Sequence, residues 1–296
     1  MFSNISVKMG IRSVEPLEEQ NIRLVVTDLD ETLLNNQQRI TPYSEAVLKA
    51  VREKGIALCF ASGRDERMMA AYVQQVNGCD YLVMNNGAVV MDKDRNVLHS
   101  RYIAREDTEK ILNYLVEKKI PCLLQAKGAF YASDIGKPLT DRVKTSRQRS
   151  EEIGYPVEFR ICTLEDAVTE NALDMGEKIV TYETREDQRK AYRKFIRTLP
   201  GVRCESTGYG LMGVFNKDVS KQAALEKIMA DLGIQENQVM VFGDYDNDLS
   251  MFACAGHKIA VGNAVPALKA VATAITESNN EDGVARYLQE FFGISL

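Results

Sequence analysis

Short apolar runs alternate with amphipathic stretches along this chain, and their spacing sets the first expectations. Ile22–Thr27 is an apolar run of strand length. Thr41 and Pro42 then supply an N-cap and a first-turn proline, and Gly55 a stop, which predicts a helix over Pro42–Lys54. Ile56–Phe60 (IALCF) reads as a second buried strand, Arg64–Val76 as a helix and Tyr81–Met84 as a third strand. This βαβαβ order predicts a parallel sheet with right-handed crossovers.

The pattern changes after Asn86-Gly87. Val89–Met91 and Val97–His99 flank a polar turn and predict a hairpin. Residues from about 103 to 216 read as a separate α/β unit. Its helices are expected at Asp107–Lys118, Leu139–Ser150, from Leu164, and Arg185–Leu199. Its strands are expected at Cys122–Gln125, Phe130–Ala132, Val157–Ile161, Lys178–Thr181, Val202–Glu205 and Leu211–Phe215. The first pattern then resumes: a helix Ser220–Leu232, a strand Gln238–Phe242, a short helix Asp246–Ala253, a strand Lys258–Val261 and a last helix Asp282–Phe292. The simplest architecture is an α/β fold: a three-layer Rossmann-like core with a mainly parallel sheet (residues 21–91 and 217–296), split by an inserted α/β domain (92–216).

Composition narrows the class. At 296 residues the chain has room for two domains. No apolar run is long enough for a bilayer, and residues 1–20 lack the apolar core of a signal peptide. They read as a tail or an added strand without chemistry. The six cysteines form no C-x-x-C pair, which points to reduced thiols in a cytoplasmic protein rather than zinc. The net charge of −5 argues against a nucleic-acid partner but not against an anionic substrate, since a bound cation reverses a local field. His99 and His257 are too far from the acidic motifs to form a triad. The basic stretch Arg142, Lys144, Arg147 and Arg149 reads as a solvated helix face.

Four segments carry candidate chemistry. Leu24–Leu34 (LVVTDLDETLL) is a strand ending in Asp28 and Asp30, with Thr32 two residues further on. One carboxylate at a strand tip can attack phosphorus while a second moves the proton. Phe60–Arg64 (FASGR) offers the Ser62 hydroxyl and a close backbone approach at Gly63. Lys221 opens a helix, where a cation is unfavourable for the helix dipole but suited to a phosphoryl oxygen. Gly243–Asp248 (GDYDND) puts Asp244, Asp246 and Asp248 at another strand tip, and such clustered carboxylates repel unless a cation such as Mg²⁺ joins them.

Together these four segments, in this order, resemble the haloacid dehalogenase-like hydrolase superfamily. The segments Met84–Ala88 (MNNGA), Val261–Ala264 (VGNA) and Asn280–Ala285 (NEDGVA), with the inserted α/β unit, resemble its Cof-type branch with the large cap domain. The resemblance implies Asp28 as nucleophile and Asp30 as acid/base. It implies Mg²⁺ held by Asp28, the Asp30 main-chain carbonyl, Asp244 and Asp248. It further implies phosphoryl contacts from Ser62, Gly63, Lys221 and Asn247, and substrate contacts near Arg64, Asn86 and Gly87. The expected activity is hydrolysis of small phosphorylated metabolites, sugar phosphates foremost, with no membrane partner and a monomeric or weakly associated chain. A phosphomutase on the same core is the alternative, and a silent metabolite-binding protein a third reading. Two positions depart from the pattern: Glu31 and Gln222 stand where glycine is usual or common.

Overall fold

The computed structural model describes residues 21–206 and 210–296; the expected tail at 1–20 lies outside them. The chain runs β1 (Leu24–Thr27), α1 (Pro42–Glu53), β2 (Ala57–Ala61), α2 (Glu66–Gln75), β3 (Tyr81–Met84), β4 (Val89–Asp92) and β5 (Val97–Ser100). There follow α3 (Arg105–Glu117), β6 (Cys122–Ala126), β7 (Ala129–Ala132), α4 (Lys137–Glu152), β8 (Ile161–Thr163), α5 (Leu164–Thr169), β9 (Gly176–Tyr182), α6 (Glu186–Ile196), β10 (Val202–Ser206) and β11 (Leu211–Asn216). The last stretch is α7 (Lys221–Leu232), β12 (Val239–Gly243), α8 (Leu249–Phe252), β13 (His257–Ala260), α9 (Pro266–Val271), β14 (Ala274–Ile275) and α10 (Gly283–Phe292).

Two sheets result. The first has the order β14-β13-β12-β1-β2-β3-β4-β5, parallel except at the β3–β4 and β4–β5 pairs. The second has the order β10-β11-β9-β6-β7-β8 and is antiparallel apart from β7–β8. Strand β1 is buried throughout, which is what an apolar run without alternation requires in a parallel sheet covered on both faces. It lies between β2 and β12, with Thr27 beside Phe60 on one side and Phe242 on the other. The chain therefore winds away from β1 in both directions, and the residues just beyond Thr27, Ala61 and Gly243 meet at a topological switch point.

Several expectations shift. The hairpin's second arm, β5, pairs with β4 inside the first sheet, so that sheet runs past residue 91, where the core segment was expected to end. Helix α2 starts at Glu66 because Asp65 caps it, accepting from the Met68 N–H at 2.8 Å. Arg64 is thereby left in the strand-to-helix connection. The strand expected at Val157–Ile161 forms only at Ile161–Thr163, beside β7. The short helix at 246–253 is divided into a 3₁₀ turn, Asp246–Asp248, and α8. Helix α9 and strand β14 complete the sheet edge and were not anticipated. The basic stretch lies on α4, where Arg147 pairs with Glu151 and Glu158 and Lys144 with Asp141, all half-exposed or more.

The C-terminal motifs hold the loop after β1. Asp282 accepts from Thr41 at 2.6 Å and Ser44 at 2.8 Å, while Asn279 donates to the Leu34 carbonyl at 2.9 Å. Asn263 donates to the Glu31 carbonyl at 2.7 Å. Glu31 has φ of +58°, which explains why glycine suits this position.

Asn85, Asn86 and Gly87 have φ of +49°, +59° and +107°. The two asparagines tolerate this left-handed turn, and glycine is needed third: a Cβ on Gly87 would lie 2.3 Å from the Ser220 carbonyl oxygen. Gly87→Ala is expected to lower stability by at least about 2 kcal/mol, from backbone strain and overlap together. Urea denaturation monitored by circular dichroism checks this; a loss below half that value would contradict the close approach.

Candidate functional site

The tips of β1, β2 and β12 converge on a buried cluster of charge. Lys221, the first residue of α7, is 1 % exposed and its Nζ donates to Asp28 Oδ1 and Asp248 Oδ1, each at 2.6 Å. Asp248 Oδ2 accepts from the Asp244 and Tyr245 N–H groups at 2.9 and 3.1 Å. A Cβ on Gly243 would lie 2.7 Å from the Asp248 carboxylate, so the glycine of the G-D-x-x-N-D segment makes room for that side chain to fold back over the strand end. Thr32 donates to Asp244 Oδ1 at 2.6 Å, tying the first motif to the last.

Asp28, Asp244 and Asp248 present carboxylate oxygens all within 4.8 Å of one another, the one such cluster among the described residues. Burial raises Asp28 well above the ordinary carboxylate range, with Asp248 and Asp244 adding to the rise and Lys221 opposing it. Burial and the Asp248 charge push Asp244 up to about 7. Against burial, which lowers it, the Asp248 and Asp28 carboxylates hold Lys221 above its usual value. Three buried carboxylates thus share one ammonium, and the surplus negative charge on hard oxygen donors fits a divalent cation of the Mg²⁺ kind.

Asp30 is separated from this cluster. Its carboxylate takes two bonds from Arg64, Nε to Oδ2 at 2.8 Å and Nη2 to Oδ1 at 2.7 Å. Gln38 also bonds the Arg64 guanidinium, which lies 5.3 Å over the Tyr72 ring. Burial would raise Asp30, but the Arg64 charge and hydrogen bonds outweigh it and hold the carboxyl below the ordinary value. Asp28 and Asp30, two residues apart, are therefore pushed in opposite directions.

Ser62 is buried, its Oγ accepts from the Arg64 N–H at 3.2 Å, and the main chain ties 62–64 to 83–86. A Cβ on Gly63 would lie 3.2 Å from Asn86 Oδ1, so this loop packs directly against the Asn86 amide. Asn86 accepts from Asn247 Nδ2 at 3.3 Å. The structure thus groups Asp28, Lys221, Asp244 and Asp248, links Asn247 to Asn86 beside Gly63, and pairs Asp30 with Arg64. Gly87 faces the backbone of Ser220 instead of the cleft.

The second sheet also reaches this region, through residues that sequence reasoning missed. Lys178 is buried and donates to the Gly63 carbonyl at 2.9 Å; burial pushes it down to about 8. Asn85 donates to Glu177 at 2.8 Å, and burial pushes Glu177 up to about 7. Asn86 donates to Glu205 at 3.3 Å. The one signal available was the alternation of β10, where charged residues flank Cys204, and that pattern also fits a strand facing solvent.

A family model for haloacid dehalogenase-like hydrolases matches residues 25–288, and the chain belongs to that family. A Bacillus subtilis relative, 5-amino-6-(5-phospho-D-ribitylamino)uracil phosphatase YitU, is 25 % identical over 277 residues, covering 92 % of this chain and 98 % of the relative. Phosphatase YwpJ of the same organism is 24 % identical over 283 residues, covering 90 % and 99 %. Among solved structures, a haloacid dehalogenase-like hydrolase from Bacteroides thetaiotaomicron superposes with a TM-score of 0.79 at 22 % identity, covering 91 % of this chain and 99 % of that one. The subclass IIB sugar phosphatase BT4131 gives 0.75 at 21 %, covering 92 % and 100 %. The protein is a hydrolase whose kinship lies with phosphoric monoester hydrolases. No helix among the described residues is long and apolar enough to cross a membrane.

The Asp30–Arg64 pair has a titration signature. A carboxyl lowered in the fold stabilises it above the ordinary value of 3.8, and this contribution is lost as pH falls through the lowered value. In Arg64→Gln the largest opposing charge is gone while the Gln38 hydrogen bond and the Lys221 charge remain, so the Asp30 midpoint is expected to rise relative to that of the unsubstituted protein. Carboxyl ¹³C NMR titration of both proteins measures this; an unchanged Asp30 midpoint would rule out Arg64 as the cause.

Proposed function

We propose that the protein is a Mg²⁺-dependent phosphatase of small phosphorylated metabolites, sugar phosphates foremost, acting through an aspartyl-phosphate on Asp28. The observation that carries the reading is the Asp28 carboxylate at the tip of β1, held by a buried Lys221 and flanked by Asp244 and Asp248. The names of two similar proteins point the same way: one acts on a phosphorylated ribityl compound and the other is a sugar phosphatase. In both, phosphate sits on a hydroxylated carbon chain.

An Asp28 oxygen attacks phosphorus while the bond to the leaving oxygen breaks. Asp30 gives that oxygen a proton, then takes one from the water that hydrolyses the acyl phosphate, which returns Asp28 to its carboxylate. The Ser62 hydroxyl, the Gly63 N–H, the Lys221 ammonium and the Asn247 amide hold the phosphoryl oxygens. Asp28, Asp244, Asp248 and the Asp30 carbonyl would hold Mg²⁺, which when bound supplies positive charge to the phosphoryl group. Paired with Arg64, Asp30 is ionised, as its second role requires. To act as acid it must turn from the guanidinium toward the leaving oxygen and take up a proton.

Asp28→Asn is expected to lower phosphate release by at least about 10³-fold, since the covalent route is lost. The fold is retained, because Lys221 keeps Asp248. Phosphate release from p-nitrophenyl phosphate and a sugar-phosphate panel measures this, with circular dichroism as the folding check; turnover like that of the unsubstituted protein would refute Asp28 as nucleophile. EDTA is expected to silence the enzyme and added Mg²⁺ to restore it. Full activity after chelation would remove the metal from the mechanism.

A further inference from the structure

Strand β10 sends Val202 and Cys204 into the apolar core of the inserted domain, so Arg203 and Glu205 face the other way. The same face carries Gln125 on β6, Lys178 on β9 and Phe215 on β11. One end of this face is apolar and packs under α4, through Leu123, Phe130, Leu211, Leu139 and Val143. The other end is polar and lies against the first sheet's site: Lys178 reaches Gly63, and Glu205 reaches Asn86. A polar end on a covered sheet face is costly unless its groups are matched.

A crevice of about 280 Å³ opens there. Core residues Lys221, Asp246 and Asn247 and inserted-domain residues Arg203 and Glu205 line it, with Asn86 bonded to both Asn247 and Glu205. Its volume falls at the small end of ligand pockets, roughly 300–1,000 Å³. Val219 is the one apolar side chain lining it among the described residues. Arg203 is anchored by a 2.7 Å bond to the Val219 carbonyl and pairs with Glu205, which fixes the carboxylate at the crevice wall. A carboxylate has about four acceptor sites. Arg203 and the 3.3 Å bond from Asn86 leave acceptor capacity toward the crevice.

Building on the phosphatase reading above, we infer that Glu205 is a specificity-determining residue: its carboxylate accepts hydrogen bonds from hydroxyl groups of the leaving group, in the crevice between the two sheets' domains. Lys221 and Asn247 hold the phosphoryl end, and Glu205, reached from Asn247 through Asn86, lines the same crevice. An acceptor-only group rewards hydroxyl donors and leaves an ester without them unmatched. The Asn86 amide, freed from its long bond to Glu205, can serve the same hydroxyls.

The test uses the full chain with Mg²⁺ and compares kcat/KM for hexose phosphates with that for p-nitrophenyl phosphate, whose leaving group has no aliphatic hydroxyl. Glu205→Ala is expected to reduce the ratio of the best hexose phosphate to p-nitrophenyl phosphate by roughly 10- to 100-fold, the range for a hydrogen bond to a charged group. Glu205→Gln, which keeps one acceptor oxygen and the side chain's shape, is expected to fall between; thermal melting confirms that both variants fold. An unchanged ratio in both folded variants overturns the inference while leaving the phosphatase reading intact. A wild-type chain that releases no phosphate from any ester overturns the phosphatase reading, and the inference with it.

Discussion

The rest of the site depends on a lysine ammonium buried between two carboxylates. Lys221 opens a helix, where its charge opposes the helix dipole, and it is withdrawn from water. Neither cost is offset locally. Both are met by Asp28 and Asp248, which come from strands at either side of the switch point. Removing the lysine would leave both buried carboxylates uncompensated, at about 3–5 kcal/mol. The placement of α7 is in turn fixed by the 85–87 turn, where Gly87 lets the chain after β3 close onto Ser220. Thus a left-handed turn far from the acids in sequence sets where the ammonium stands.

Acidic groups outnumber the cations that face them, and the two aspartates after β1 respond in opposite ways. Burial, with Asp248 and Asp244 adding to it against Lys221, raises Asp28, while Arg64 holds Asp30 below its ordinary value. Groups driven apart in this manner are suited to different tasks. In the proposed mechanism Asp30 serves as acid only once it turns from Arg64 and takes up a proton.

Much of the core was legible because its signals are local. An apolar run followed by Asp28, or by Gly243-Asp244, marks a strand tip whatever surrounds it, and Ser220 or Thr41 marks a helix start. The Asp30–Arg64 pair was not legible, because it depends on where α2 begins. With Asp65 as cap, Arg64 stays outside the helix and its side chain is free to turn to Asp30. The sheet reached β5 because an antiparallel hairpin can extend a parallel sheet's edge, and nothing in Val97–His99 says which sheet it joins. Glu205, Lys178 and Gln125 were lost for the opposite reason: strand alternation is the same for a face in water and for a face over another domain.

That ambiguity has a physical consequence for how such a chain diverges. The core's charges are interlocked, so Lys221 cannot change without stranding Asp28 or Asp248. The polar face of the inserted domain is linked to the core by a few bonds, and the one from Asn86 to Glu205, in line with the Asn247–Asn86 bond, is 3.3 Å long. A long hydrogen bond at a partly open crevice is a weak constraint on residue type. Substitution at 203 or 205 therefore changes the crevice wall while leaving the Lys221 bonds to Asp28 and Asp248 in place. Residue type is most constrained where charge is buried and satisfied, and least where the contacts can be exchanged.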